Sequence, residues 1–412
     1  MKKILVFIML SSVLVVSGCT SSQPKVDEDY SNKRFIIHTS FSDEASFYKS
    51  YGNLILQHFP GLDVRLVLRH EWEHERANGQ SPDLIFAFTT DYVKLRDDSY
   101  LMDLRSNMKK DSFKLDRYSE DMIKALSDDS GVLYGLAPNV HIFGMFYNKQ
   151  LFDQRQIPYP QNNMDWYETL QLSTRFDGVA GYESSFSASD MLMNIAHTNK
   201  WRILDHARSN ITMSSADWVK GIEAVQHVYQ TGSIVKGTGE FFNQGKSAML
   251  AEHISFSKTL NDRPSFSWGV VPSPVNTNNR QESRSVFFHQ VLSVPKATTQ
   301  PELAWEVIKL LMSEEAVQYY AENHNPATVP TLKSKMMDYN GINLTAFWEQ
   351  SIDSSPGIPD YSFSTEFTGE IYGVTEKYLQ KIIQDEISAL EGLSLINNEL
   401  NTAYAKEKLN HE

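Results

Sequence analysis

Two short strings in this 412-residue chain are of residue types that do chemistry. The first is His70-Glu71-Trp72-Glu73-His74. On a helix, His70 and His74 would share a face and could ligate zinc, with Glu71 as general base to a metal-bound water, the arrangement of a metallopeptidase. Its setting argues against that reading. The segment carries charge on every side from Arg69, Glu73, Glu75 and Arg76 and is stopped by Asn78-Gly79, whereas a helix that buries a zinc site needs length and an apolar flank. No third ligand follows downstream, where Lys94, Arg96, Asp97 and Asp98 stand in a polar stretch. A solvated helix start is the expectation, with no metal and no cofactor. There is no G-x-S-x-G turn and no phosphate-cradling glycine loop. A convergent carboxylate pair for glycoside hydrolysis stays open, because any two of the 51 acids could meet in space.

The second string, Val16-Ser17-Gly18-Cys19-Thr20, holds the single cysteine, so the chain has no intramolecular disulfide and no cysteine-based zinc site. Lys2 and Lys3 precede an apolar run from Ile4 to Val16, too short to anchor as a transmembrane helix. Small residues before a lone cysteine resemble a bacterial lipobox, which implies diacylation of Cys19 and removal of residues 1–18 as a signal peptide. Residues 19–32 are polar and read as a tether. The expected location is therefore the extracytoplasmic face of the cell membrane, held by lipid. With 38 Lys and Arg against 51 Asp and Glu the net charge is −13, which repels nucleic acid. A content of 41% hydrophobic and 12% aromatic residues excludes a disordered or low-complexity chain.

The elements that must position any site alternate. Arg34 to Thr39 is β-rich, and Phe47, Tyr51, Leu54, Ile55 and Phe59 then recur at helical spacing up to Pro60-Gly61. Asp63 to Leu68 is a second strand, and Pro82 to Phe88 is nearly continuously apolar, as a parallel strand covered on both faces must be. This βαβ order predicts an open α/β sheet with ligands at the carboxyl ends of its strands, His38–Phe41 and Phe88–Asp91. Trp218, Ile222, Val225 and Tyr229, and the run from Pro301 to Leu311, predict amphipathic helices.

Read in order, several segments resemble the family 1 extracellular solute-binding proteins, lipoprotein receptors of ABC importers for sugars and related solutes. His58-Phe59-Pro60-Gly61-Leu62-Asp63-Val64, Ser81-Pro82-Asp83-Leu84 and Leu101-Met102-Asp103-Leu104 carry the first part of the likeness. Gly131 to Leu136, followed by Phe146-Tyr147-Asn148-Lys149, continues it, and Phe242-Asn243-Gln244-Gly245-Lys246-Ser247-Ala248-Met249 is its most specific string. Trp268 to Pro274 and Ser313 to Ala316 complete it.

The resemblance implies a type II periplasmic-binding-protein-like α/β fold, two lobes hinged about a cleft, with lobe I at 33–140 plus 290–327 and lobe II at 141–289 plus 328–412. It implies a monomeric, non-enzymatic receptor that closes on a small solute, a carbohydrate in the first instance, and hands it to permease subunits. A receptor presenting its closed form to a membrane sensor kinase is the alternative within the same fold. Where sugar-binding relatives stack tryptophan, this chain has Ala87 with Phe88, Thr90 and Asp91 close by, and His141 stands in place of an acid on the hinge strand. Ligand contacts are therefore expected from Phe41, Phe88, Thr90, Asp91, His141, Glu183, Phe256, Phe288, His289 and Tyr361.

Overall fold

β1 (Arg34–Thr39), β2 (Asp63–Leu68) and β3 (Leu84–Ala87) pair in parallel, with β1 central. Parallel neighbours need crossovers, and helical segments at Glu44–His58 and Arg69–Ala77 supply them. The computed structural model describes residues 30–31, 33–262, 265–288, 290–323, 328–339, 341–352 and 363–411. Cys19, His289 and Tyr361 lie outside the described residues.

The first crossover departs from the single helix expected. Helices Glu44–Phe47 and Asn53–His58 are joined by a wider turn, Tyr48–Gly52, of π geometry. Its Tyr51 is buried against Tyr320, ring centroids 5.3 Å apart, and its hydroxyl accepts from Asn139 Nδ2 at 2.9 Å. Gly52 permits the turn, because a Cβ there would lie 2.5 Å from the Tyr48 ring.

β4 (Gly135–Leu136) leads directly into β5 (Asn139–Asn148), the hub of a second sheet. β6 (Tyr182–Ser184), β7 (Ile234–Lys236) and β8 (Met249–His253) run parallel to one another, and β5 lies antiparallel beside β8. After β9 (Trp268–Pro272), the two-residue β10 (Glu282–Ser283) pairs with Ser351–Ile352. β11 (Val286–Phe288) then pairs with the start of β5, and the chain returns through β12 (Val291–Ser293) to fill the first sheet between β3 and β4. β13 (Thr328–Pro330) comes back to the start of β5. The chain thus changes sheets between Leu136 and Asn139, between Phe288 and Val291, and between Asn323 and Thr328.

Parity along β5 divides the interior. Val140, Ile142 and Phe146 join a core that continues beneath the first sheet, whereas Met145 and Tyr147 face a second core built on the helices Trp166–Ser173, Ala188–Thr198 and Ala216–Gln230. The helices Thr365–Ile383 and Ala389–His411 close that second core. They are pinned there by Asn397 and Asn401, whose side-chain oxygens each accept a backbone N–H, from Met213 and Ile211, at 2.8 Å.

Candidate functional site

The carboxyl ends of β1, β2 and β3 open into a cleft of about 460 Å³ lined by Ser40, Phe41, Ser42, Arg69, His70, Trp72, Arg76, Asp91, Lys94 and Leu95. Three loops bring these residues together because parallel strands end on the same side. Arg69 grips Asp91 with two hydrogen bonds of 2.9 and 3.1 Å and lies over the Phe88 ring at 5.4 Å. Phe41 rests edge-on against Phe47 and Tyr51, half-buried, so one flank remains for the cleft. Trp72 is pinned by its indole N–H donating to Val67 O at 3.2 Å. Thr90 is exposed and is not part of the lining.

The His70–His74 string is not carried on one continuous helix. His70 and Glu71 lie in a tight 3₁₀ turn, and the helix begins only at Trp72. The Glu71 carboxylate accepts the Leu68 N–H at 2.9 Å, which caps that turn, and His74 contacts the Asn78 amide. Among the described residues, no three histidine, cysteine or acidic side chains converge to hold a metal.

A second candidate surface lies at the matching end of the other sheet. β6, β7 and β8 finish where antiparallel β5 starts, so the carboxyl edge of that sheet carries His141, Phe143 and His253. On β5 these odd positions are half-buried before the same face sinks into the core at Met145 and Tyr147. Register places Phe287 opposite His141 and His253 opposite Phe143. The Phe287 ring lies nearly parallel to His141, 5.3 Å away at 12°, and to Phe143, 5.5 Å away at 24°. His253 closes the group, 3.8 Å from Phe143 and 4.9 Å from His141. The result is an aromatic platform with Phe287 as its most exposed ring, at 37%. Both surfaces adjoin the same crossing, for Ser40 Oγ donates to Gln290 Oε1 at 3.0 Å and Thr89 Oγ1 donates to Phe288 O at 2.7 Å.

Three further expected residues have other partners in the structure. Glu183 is fully buried, and its carboxylate accepts backbone N–H groups from Gly239, Phe241 and Phe242 at 2.8, 3.2 and 2.6 Å. It therefore caps the helix Glu240–Asn243. Phe288 is buried in the core, because alternation on β11 turns its neighbour Phe287 outward instead. Phe256, half-buried, packs on Phe146 and Phe242. Phe143, His253, Phe287, Arg69 and Lys94 were not expected as contacts. Alternation along residues 140–147 was the signal available for Phe143.

His38 supports the first cleft from below. It is 2% exposed, and its ring is stacked on Trp72 at 5.7 Å and 23°. Burial holds its pKa down at about 4; Glu75 opposes that shift, and Arg65 and Arg76 add to it. The folded protein thus keeps His38 neutral at a pH where the unfolded chain, at about 6.5, takes up a proton. Stability is full above pH 6.5 and falls as the pH drops toward 4, by roughly 3 kcal/mol for this histidine. Urea midpoints between pH 7 and 4.5 should fall less steeply in His38→Phe, which keeps the stack on Trp72; an equal slope would mean that His38 is protonated in the fold.

A family model of bacterial extracellular solute-binding proteins matches residues 71–318. Among solved structures, the chain is similar to the sugar-binding protein MalE of Xanthomonas citri, with TM-score 0.67 and 14% identity, over 92% of this chain and 99% of that one. It is similar to a sugar transporter of Rhizobium etli in an open conformation, with TM-score 0.63 and 17% identity, over 89% and 98% of the two chains. It is also similar to an ABC substrate-binding protein of Listeria monocytogenes in complex with cycloalternan, with TM-score 0.61 and 20% identity, over 91% and 100%. Among curated proteins no sequence matches significantly. The shared architecture is the two-lobed α/β fold.

Proposed function

We infer the function from one premise: the chain belongs to the bacterial extracellular solute-binding protein family. We propose that it is the carbohydrate receptor of an ABC importer, with lobe I at 33–140 plus 290–327 and lobe II at 141–289 plus 328–412. The observation that carries this reading is the presence of two aromatic surfaces, each at the carboxyl edge of its own sheet and both beside the crossing between Phe288 and Val291. Phe41 and Trp72 offer ring surface in one, and the His141–Phe143–Phe287 platform offers it in the other, while the Phe88 ring is covered by Arg69. Sugars present apolar C–H faces ringed by hydroxyls, so a saccharide held between such surfaces gains apolar contact on both faces and hydrogen bonds at its rim. Ser40, Ser42 and Asp91 line the first surface with hydrogen-bonding groups.

Closure is the output. A solute seated on one lobe makes the second set of contacts only when the lobes approach, so it stabilises the closed form by that difference in affinity. The permease subunits would engage the closed form, and diacylated Cys19 would keep the receptor at the membrane, raising its effective concentration there. No described helix is long and apolar enough to cross a membrane.

Thermal shift with a panel of oligosaccharides and sugar alcohols tests the proposal. One class should raise the unfolding midpoint, by about 2.7 kcal/mol of stabilisation at a hundredfold excess over Kd. The same sugar should be recovered chemically unchanged after overnight incubation. A chain that binds no saccharide, or that converts one into a different product, is not this receptor.

A further inference from the structure

Resting on the receptor reading, the geometry points to an acidic saccharide as the ligand, its carboxylate or sulfate group seated against Lys94 and Arg76. The charge of the first cleft runs against that of the molecule. Three fixed cations, Arg69, Arg76 and Lys94, line it against one acid, Asp91, in a chain of net charge −13.

Arg69 and Asp91 neutralise each other through their paired hydrogen bonds, so the two remaining cations set the field. Arg76 lies over the Tyr100 ring at 5.2 Å, a contact that orients its guanidinium without cancelling its charge. Lys94 stands one turn beyond Asp91 on the helix Thr89–Asp97, exposed, and no ion pair of Lys94 occurs among the described residues. Of the neighbouring acids, Glu75 pairs with Arg65 at 2.8 Å and Asp97 with Arg96 at 2.9 Å, while Glu71 accepts the Leu68 N–H and keeps its charge.

The same cleft is lined by the apolar side chains of Trp72, Phe41 and Leu95. A neutral sugar there would accept hydrogen bonds from the two cations through its hydroxyls but would leave their charge uncompensated once closure removes water. An anionic sugar converts the same desolvation into charge-assisted hydrogen bonds, bidentate from Arg76.

Isothermal titration of the chain against matched pairs decides the point: galacturonate and glucuronate oligomers beside their carboxyl-reduced twins, and a sulfated disaccharide beside its desulfated twin. One acidic member should bind about tenfold or more tighter than its twin, with a preference that shrinks as salt rises. The arm that shows the preference identifies the anion. Lys94→Met and Arg76→Gln should each bring that ratio toward one. A neutral twin binding as tightly as its acidic partner overturns this inference and leaves the receptor reading standing, and so does a preference that survives both substitutions. Failure of every saccharide, acidic or neutral, removes both.

Discussion

Glu183→Ala should unfold in urea with a loss on the order of 3–5 kcal/mol, among the largest expected of any single substitution in the chain. The carboxylate is fully buried and takes the N–H groups of Gly239, Phe241 and Phe242, the donors that open the helix Glu240–Asn243. Alanine leaves those donors in the interior with nothing to accept them, and a cavity besides. Glu183→Gln should lie between the two, because its amide keeps one acceptor and turns a donor toward one of the N–H groups. The fit is tight enough to dictate the sequence nearby. A Cβ on Gly237 would stand 2.3 Å from Glu183 Oε1, so Gly237→Ala should reproduce much of the loss. Were Glu183 a ligand contact instead, Glu183→Gln would keep the wild-type midpoint and lose affinity, and that pattern would refute the capping role.

The same residue shows what a sequence conceals. A lone acid after an apolar strand residue is written identically whether it meets a sugar or a helix terminus, and its partners here lie more than fifty residues on, at 239–242. By contrast, the first sheet was legible, since Leu84-Ile85-Phe86-Ala87 is buried on both faces and is apolar throughout. Phe41 and Asp91 followed from that, because the strand ends could be counted. Lys94 and Arg69 first appeared only as objections to a zinc helix; folding three loops onto one edge makes them lining residues. At Val286-Phe287-Phe288 the strand is three residues long and apolar throughout, so no alternation is written into it. Only its register against β5 decides which phenylalanine is buried.

That register yields the sharpest test of the platform. Phe287 is 37% exposed and lies within 5.5 Å of two near-parallel rings, His141 and Phe143, so its removal deletes the outermost surface of the stack and little of the core. Phe287→Ala should weaken saccharide binding by about 10- to 100-fold, as loss of a central aromatic contact does, while shifting stability by about 1 kcal/mol or less. Its neighbour should behave in the opposite way. Phe288 is 2% exposed in the core, and Phe288→Ala should cost about 3–5 kcal/mol of stability while the folded fraction binds as before. His141→Phe refines the reading, for it preserves the ring stack and removes the imidazole nitrogens. A large loss there assigns His141 a polar contact, and a small one assigns it packing alone. Titration calorimetry beside urea unfolding of the two phenylalanine variants separates binding from folding at this strand. If both lose stability and keep affinity, the outward face of β11 is only a lid on the fold, and the sugar is held elsewhere.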